Sequence, residues 1–463
     1  AEIEKSIHEL LGINIGETTP DGLFSIHHTP CIGMSDQAPA ALINGTVVTK
    51  LSPTKIKRII QVLKKHKNTD KLFVGTSESQ EAFIHKMVKS NICKTGPLLS
   101  NTYFPGSGLK KALSLLPEAI LATLEASKLR GRGGAGFDIA TKWRIAKNTQ
   151  AQERYIICNA DEGEPGTFKG RVLLTEKAHL LFEGMTIAAY TIGCSKGIIY
   201  LRAEYRYLLP YLESLLEERR HNGLLGQAIS FNPETKDIFH FDIRIQLGAG
   251  AYVCGEESAL ISSCEGKRGE PRNKPPFPAE VGYLDCPTVV NNVESLCYIP
   301  LIFENGLSWF QAIGTSESKG TKLLSVSGDC NKPGVYEFPF GVSVNDVLSA
   351  SGANNAAAVQ VGGASGELIG RADFDRKLCF EDLPTAGAMM IFSEERNILE
   401  IVDYFMQFFI DESCGYCTPC RVGNVFLQKT LQKIRQGLGE KSDLDYLKQL
   451  SKTIIQTSRC GFG

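Results

Sequence analysis

Near the end of the chain three cysteines recur at every third position, Cys414-Gly-Tyr-Cys417-Thr-Pro-Cys420, and a fourth, Cys460, follows forty residues later. Three thiolates wound around one helix start can take three corners of a cube, and a distant fourth closes it. This C-x2-C-x2-C spacing is that of a [4Fe–4S] cluster. Zinc is the rival, although zinc sites usually use two separated pairs. The flanking stretches ILEIVDYFMQFFIDES, RVGNVFLQKTLQKIRQGLG and DLDYLKQLSKTII read as helices, so the thiols belong to a helical unit. The other ten of the 14 cysteines (Cys31, Cys93, Cys158, Cys194, Cys254, Cys264, Cys286, Cys297, Cys330 and Cys379) stand alone. They read as small buried hydrophobes.

Fourteen cysteines in 463 residues do not make a disulfide scaffold, which belongs to short secreted chains. The start, AEIEKSIHELLG, lacks the basic end and apolar run of a signal peptide. No stretch reaches the roughly 18 consecutive apolar residues of a membrane helix. A cytoplasmic location without direct membrane insertion is therefore expected. Fifty Lys+Arg against 51 Asp+Glu leave a net charge of -1, which removes the electrostatic case for nucleic acid.

From about 110 to 310, buried strands such as RYIICNA and GIIYLRAEY alternate with amphipathic segments, as in α/β layering. Four loops in this stretch carry chemistry. The first, Leu129-Arg-Gly-Arg-Gly-Gly-Ala-Gly-Phe137, lets backbone amides approach an anion at a helix start. Arg130, Arg132 and Lys142 offer countercharge for phosphates. Its spacing departs from the G-x-G-x-x-G of dinucleotide sites. The second, Asn159-Ala-Asp-Glu-Gly-Glu-Pro-Gly166, follows a strand and would line the crevice where α/β sheets bind ligands. The third is Gly248-Ala-Gly-Ala-Tyr-Val-Cys-Gly-Glu-Glu257, and the fourth runs from Gly269 to Phe277 and on to Pro287-Thr-Val-Val-Asn-Asn292. Clustered together, they point to a nucleotide site.

LRGRGGAGF, NADEGEPGTFK, GAGAYVCGEESAL, KPPFPAEVGY, TVVNNVESL and ESCGYCTPCRVG, in that order over residues 105–463, resemble the NADH-oxidising flavoprotein subunit family. That family includes the 51-kDa-type subunit of respiratory complex I, diaphorase alpha subunits of NAD-reducing soluble [NiFe]-hydrogenases, and formate dehydrogenase subunits. The resemblance implies non-covalent FMN, NAD(H) as substrate, and a [4Fe–4S] cluster on Cys414, Cys417, Cys420 and Cys460. Hydride would pass between NAD(H) and FMN, and single electrons between FMN and the cluster. By motif match, FMN would meet Gly131, Arg132, Gly133, Lys142, Asn159, Asp161, Glu162, Tyr252, Gly255, Glu256, Val290, Asn291 and Asn292. NAD would meet Gly134, Ala135, Phe137, Glu164, Glu257, Lys274 and Phe277. Phe137 and Phe277 would sandwich adenine, and Glu164, the catalytic candidate, would lie on the nicotinamide side. A carboxylate such as Glu257 near the ribose favours NAD over NADP.

The implied architecture is α/β and multidomain: a degenerate thioredoxin-like domain at 1–90, a linker at 91–109, and a Rossmann-like FMN- and NADH-binding domain at 110–315. A β-grasp domain follows at 316–395 and a helical [4Fe–4S] domain at 396–463. The N-terminal stretch is similar to the second half of a thioredoxin-like [2Fe–2S] subunit. It keeps only Cys31 of a ligand pair whose partner position is Ser35, so no [2Fe–2S] centre is expected. Such fusion is most similar to hydrogenase diaphorases. The expected partners are therefore other iron–sulfur subunits and a [NiFe]-hydrogenase module, with complex I or formate dehydrogenase as the alternative. A cluster-bearing scaffold with a dead nucleotide fold and a zinc-stabilised interaction protein are the non-catalytic readings.

Overall fold

The structure is a computed structural model, described for residues 2–73, 79–100, 103–231 and 237–463. Its centre is a five-stranded sheet in the order Gly226–Phe231, Ile238–Leu247, Lys196–Leu201, Tyr155–Ala160, Thr288–Asn292. The last four are mutually parallel and the first is an antiparallel edge. Strands covered on both faces need apolar residues at successive positions, which is why RYIIC shows no alternation. The helix Ala178–Ile192 is buried along nearly its whole length and packs on the helix Val293–Asn305. Gly184 permits that approach, since a Cβ there would lie 2.1 Å from the Leu296 carbonyl oxygen.

A second sheet has the order Glu367–Gly370, Ala356–Val361, Ala388–Ser393, Thr321–Gly328, Gly334–Pro339, Ile92–Lys94, around its own core of Leu324, Val326, Val359 and Met389. The strand Ile92–Lys94 comes from the stretch expected to be a linker. It pairs parallel to Gly334–Pro339, and the buried Glu337 carboxylate fixes the turn after it by accepting the amides of Gly96, Leu98 and Leu99 at 3.0, 2.9 and 2.8 Å. Turn-rich composition marks this segment as a connection, whereas pairing with a strand some 240 residues away makes Ile92–Lys94 sheet and Glu337 fixes the turn after it.

The N-terminal unit holds the hairpin Ala41–Ile43/Thr46–Val48 and the helix Pro53–His66, whose first turn is capped by Ser52. It has a separate core of Val48, Leu51, Ile56, Ile59 and Ile60. The Ser35–Gln37 turn locks onto the central domain through a buried ion pair, Arg171 to Asp36 at 2.9 Å. The helices Ile398–Glu412, Thr418–Arg435 and Lys441–Thr457 complete the chain. No helix among the described residues is long and apolar enough to cross a membrane.

Candidate active site between two sheets and a thiol cavity

The parallel strands Tyr155–Ala160 and Thr288–Asn292 end side by side, so their following loops open on one edge of the sheet. A cleft of about 660 Å³ lies there, large enough for a cofactor-sized ligand. Of the residues expected to bind, Gly133, Gly134, Ala135, Asn159, Asp161, Glu162, Glu164, Tyr252, Gly255, Glu256 and Asn292 line it together. Sequence reasoning missed Thr167 and Lys169 from the acidic loop, Gly362, Ser365, Thr385 and Ala386 from the second sheet, and Phe462 near the C-terminus. Thr167 and Lys169 lie within the NADEGEPGTFK motif itself; the others have no local signal, because the fold alone brings them in.

The acidic loop is held by its own side chains. Asn159 donates to the Gly255 carbonyl at 2.8 Å and accepts the Asp161 amide at 3.1 Å. Glu162 accepts the Gly170 and Arg171 amides at 2.6 and 3.1 Å, and Tyr205 donates to it at 2.9 Å, so it pins the start of the helix Lys169–Glu176. Glu164 accepts from the Tyr252 hydroxyl at 2.5 Å and from the Ser365 hydroxyl at 2.8 Å, bridging the central domain to the second sheet. Burial raises its pKa against those hydrogen bonds. Glu256 caps the helix Glu257–Cys264 through the amides of Ser258 and Ala259 at 3.0 and 2.9 Å. Asp161 differs: its Oδ2 is sealed from solvent and has no hydrogen-bond partner.

The glycine loop precedes the helix Ile139–Asn148, which Asp138 caps through the Thr141 amide at 2.6 Å. Gly134 sits at φ +121°, open to glycine, with its neighbours facing the cleft. The Arg132 side chain does not supply phosphate countercharge. Its guanidinium is buried over the Phe340 ring at 4.6 Å and donates to the Lys319 carbonyl at 2.6 Å. The cation bordering the cleft is Lys169, paired with the buried Glu294 at 2.6 Å. Gly131, Val290 and Asn291 stand behind the lining: Gly131 donates to the Phe137 carbonyl at 2.8 Å, and Asn291 accepts the Trp143 indole at 2.9 Å. Lys142 is tied to Glu257 at 3.0 Å and to the Val290 carbonyl at 3.2 Å. From Glu256 a strip of alternating charge leads outward, with Lys274 joined to Glu256 at 2.7 Å and to Glu257 at 3.3 Å. Phe137 and Phe277 are half exposed, at 51% and 50%. Burial acts to raise the Glu257 pKa, but the two lysines bring it below the usual carboxylate range.

Beside the cleft, Cys414, Cys417, Cys420 and Cys460 line one small cavity at the start of the helix Thr418–Arg435. The Cys420 sulfur is approached by the Ser413 hydroxyl at 3.3 Å and the Asn424 amide at 3.6 Å. Among the described residues no three Cys, His, Asp or Glu side chains close on a point as ligands of a single ion do. The four thiols share the wall of this cavity. Val253 and Phe462 line both this cavity and the cleft. The donor sets fit FMN and an iron–sulfur cluster: Thr167 and Asp161 line the cleft, each with a buried side-chain oxygen that has no partner, beside one cation and a glycine loop, and four soft thiols share the neighbouring cavity.

Comparison with known proteins agrees. The profile of the Nuo51 FMN-binding domain matches residues 124–301, and that of the NADH-ubiquinone oxidoreductase-F iron-sulfur binding region matches 400–463. The profile of thioredoxin-like [2Fe-2S] ferredoxin matches residues 1–64, a stretch whose single cysteine is Cys31. The chain is 50% identical, over its whole length and 77% of the relative, to the NAD-reducing hydrogenase HoxS subunit alpha of Cupriavidus necator. It is 42% identical over 77% of its length (74% of the relative) to the NADP-reducing hydrogenase subunit HndC of Solidesulfovibrio fructosivorans. To an NADH-quinone oxidoreductase subunit of Escherichia coli it is 40% identical over 74% of its length (79% of the relative). A crystal structure of NAD+-reducing [NiFe]-hydrogenase in the air-oxidized state superimposes with TM-score 0.89 and 43% identity over 99% of this chain and 78% of that one.

Proposed function

The chain belongs to the NADH-oxidising flavoprotein subunit family, with hydrogenase HoxS subunit alpha and an NADH-quinone oxidoreductase subunit among its relatives, and from that premise we propose that it is the diaphorase subunit of an NAD-reducing [NiFe]-hydrogenase. It is an NAD-dependent flavin iron–sulfur oxidoreductase. The observation that carries this reading is the wall formed by Val253 and Phe462, one residue layer between the cleft and the thiol cavity. FMN in the cleft supplies conversion between a hydride and single electrons, and a [4Fe–4S] cluster on Cys414, Cys417, Cys420 and Cys460 supplies the one-electron outlet. The remaining work belongs to the chain. The amides of Gly133 and Gly134, with Lys169, take the phosphate end. Glu164, locked by Tyr252 and Ser365, holds the second sheet against the cleft so that water is excluded from the ring side. A visible spectrum tests the whole: flavin bands bleached by NADH, with iron and sulfide at about four per chain, are expected, and a colourless protein overturns it.

NAD lies along the rim, its adenine between Phe137 and Phe277 and its ribose at Glu257. Glu257 holds Lys142 and Lys274, so Glu257→Gln both removes the charge that repels a 2′-phosphate and frees two ammonium groups to meet one. The ratio of kcat/KM for NADH over NADPH should fall about tenfold or more, on the order of 1.4 kcal/mol. An unchanged ratio rejects the ribose role.

We infer that residues 1–64, matched by the thioredoxin-like [2Fe-2S] profile with Cys31 as their single cysteine, hold no [2Fe–2S] cluster by themselves. Cys31 faces the Ser35 hydroxyl at 3.5 Å where a second thiol would be needed. Electron paramagnetic resonance of the dithionite-reduced chain should show no [2Fe–2S] signal; its appearance would refute this. The hydrogenase module and its iron–sulfur subunits are the electron partners on this reading, and co-purification of a nickel-containing subunit is the check.

A further inference from the structure

Tyr416 and Arg459 line the thiol cavity together with the four cysteines. Both are neighbours of the thiols in the chain: Tyr416 stands between Cys414 and Cys417, and Arg459 immediately precedes Cys460. The Arg459 guanidinium lies over the Tyr416 ring at 3.9 Å, and its Nε donates to the Asn273 side-chain oxygen at 2.8 Å. A ring under the guanidinium plane and an acceptor at its edge fix where the plane sits. Its Nη1 is sealed from solvent and has no hydrogen-bond partner. A buried donor left unpaired is unfavourable, so one on a residue that lines a cavity of four thiols calls for an acceptor there. Two other arginines near the cysteine loop are already committed to backbone. Arg268 donates to the Cys414 carbonyl, and Arg421 donates to the Gly415 carbonyl at 2.6 Å, so they brace the loop itself.

Resting on the proposed function, we propose that Arg459 donates from Nη1 to a sulfur of the [4Fe–4S] cluster on Cys414, Cys417, Cys420 and Cys460, and so holds the reduction potential of that cluster up. Each electron that reduced FMN gives up adds one negative charge to the cluster, and Arg459 exchanges no proton in the step. A cation in hydrogen-bond contact stabilises the more negative, reduced state more than the oxidised one. The Glu256 carboxylate acts on Cys460 in the opposite sense, but Lys274 pairs with it at 2.7 Å. Arg459 is held instead by a neutral side chain, Asn273, so its charge is not cancelled by that contact. A cluster raised in this way takes single electrons from reduced FMN more readily. Asn273 belongs to the loop from Gly269 to Phe277, so the anchor of Arg459 comes from the central domain and not from the helices that carry the thiols.

The test is a redox titration of the anaerobically purified, FMN-loaded chain, followed by electron paramagnetic resonance of the reduced cluster. Arg459→Gln should keep about four irons per chain and the bleaching of flavin by NADH. Its midpoint should fall so that the one-electron equilibrium shifts about tenfold toward the oxidised cluster, which is about 59 mV. Arg459→Lys, which keeps the charge and a donor, should recover part of the shift. The difference between Arg459→Gln and the wild type should persist at about 1 M salt, where exposed charges are screened beyond roughly 3 Å. Equal midpoints in Arg459→Gln and the wild type, both with full iron, overturn the proposal and leave the proposed function intact. An Arg459→Lys midpoint no higher than that of Arg459→Gln, or a difference that vanishes in salt, overturns it as well. A wild type without a [4Fe–4S] signal overturns the proposed function instead. Should Arg459→Gln lose its iron, Asn273→Ala decides, because it releases the guanidinium and leaves every thiol in place. Its midpoint should fall by a smaller amount, and a wild-type midpoint there rejects the assignment.

Discussion

Cys420→Ser should empty the iron–sulfur site: acid-labile sulfide and iron fall from about four per chain to near zero, while flavin binding and its bleaching by NADH persist. Cys420 is the most buried of the four thiols, at 6% exposure, and sits in the first turn of the helix Thr418–Arg435. The serine hydroxyl is hard, shorter and a poor iron ligand, and three thiolates leave one corner of a cube open to solvent. Ser413 and Asn424 approach this sulfur at 3.3 and 3.6 Å, and hydrogen bonds to a ligand sulfur tune a cluster's potential. Asn424→Ala should therefore keep the iron but move the potential. Electron transfer to a one-electron acceptor beyond the cluster should be lost in Cys420→Ser, and direct reduction of a soluble dye by the flavin retained. Full iron occupancy in Cys420→Ser would remove Cys420 from the ligand set and reopen the zinc reading for the remaining thiols.

How much of the site is legible in the sequence depends on how local each signal is. Cys414, Cys417 and Cys420 announce themselves because their spacing is close to one helical turn. The Asn159–Gly166 loop does so because it follows an unbroken apolar strand. The buried chemistry around Lys169 is not legible, since Glu294 lies 125 residues further on and Lys322 another 28 beyond that. Arg132 misleads for a physical reason. An arginine between glycines in an anion loop resembles a phosphate ligand, but glycine's small volume lets the backbone face the cleft while the long side chain turns into the core. Asp161 and Glu162 look equivalent in sequence. Only the placement of Gly170 and Tyr205 satisfies one of them and leaves the other's oxygen without a partner.

Glu294→Gln should be the most destabilising single change in the central domain. The native carboxylate is fully buried, accepts the Leu323 amide at 3.0 Å, and is the anion shared by Lys169 and Lys322, themselves only 4% and 3% exposed. Burial alone would raise its pKa; Lys169, Lys322 and Arg132 together bring it down to about 2. A depressed carboxyl contributes stability above its unfolded pKa and loses it as pH falls, here from about 4.5 toward 2. The contribution at neutral pH is on the order of 3 kcal/mol. The amide keeps the shape and the Leu323 contact but leaves two buried ammonium groups facing each other, so a loss of roughly 3–5 kcal/mol is expected. Burial already holds Lys322 well below the ordinary lysine value, and without Glu294 the pair would surrender a proton on folding. The unfolded variant then binds more protons than the folded one, so its stability should rise with pH from 7 toward 10 more steeply than that of the wild type, where Glu294 opposes the loss of the Lys322 proton. Denaturant unfolding at saturating FMN, at pH 7 and pH 9, measures both effects. Adding Lys322→Met to Glu294→Gln should recover part of the loss, because one apolar side chain replaces the uncompensated charge. A single variant within about 1 kcal/mol of the wild type, the scale of an exposed pair, and with the same pH slope as the wild type, would show that these lysines are already neutral in the native protein and that Lys169 brings no charge to the cleft.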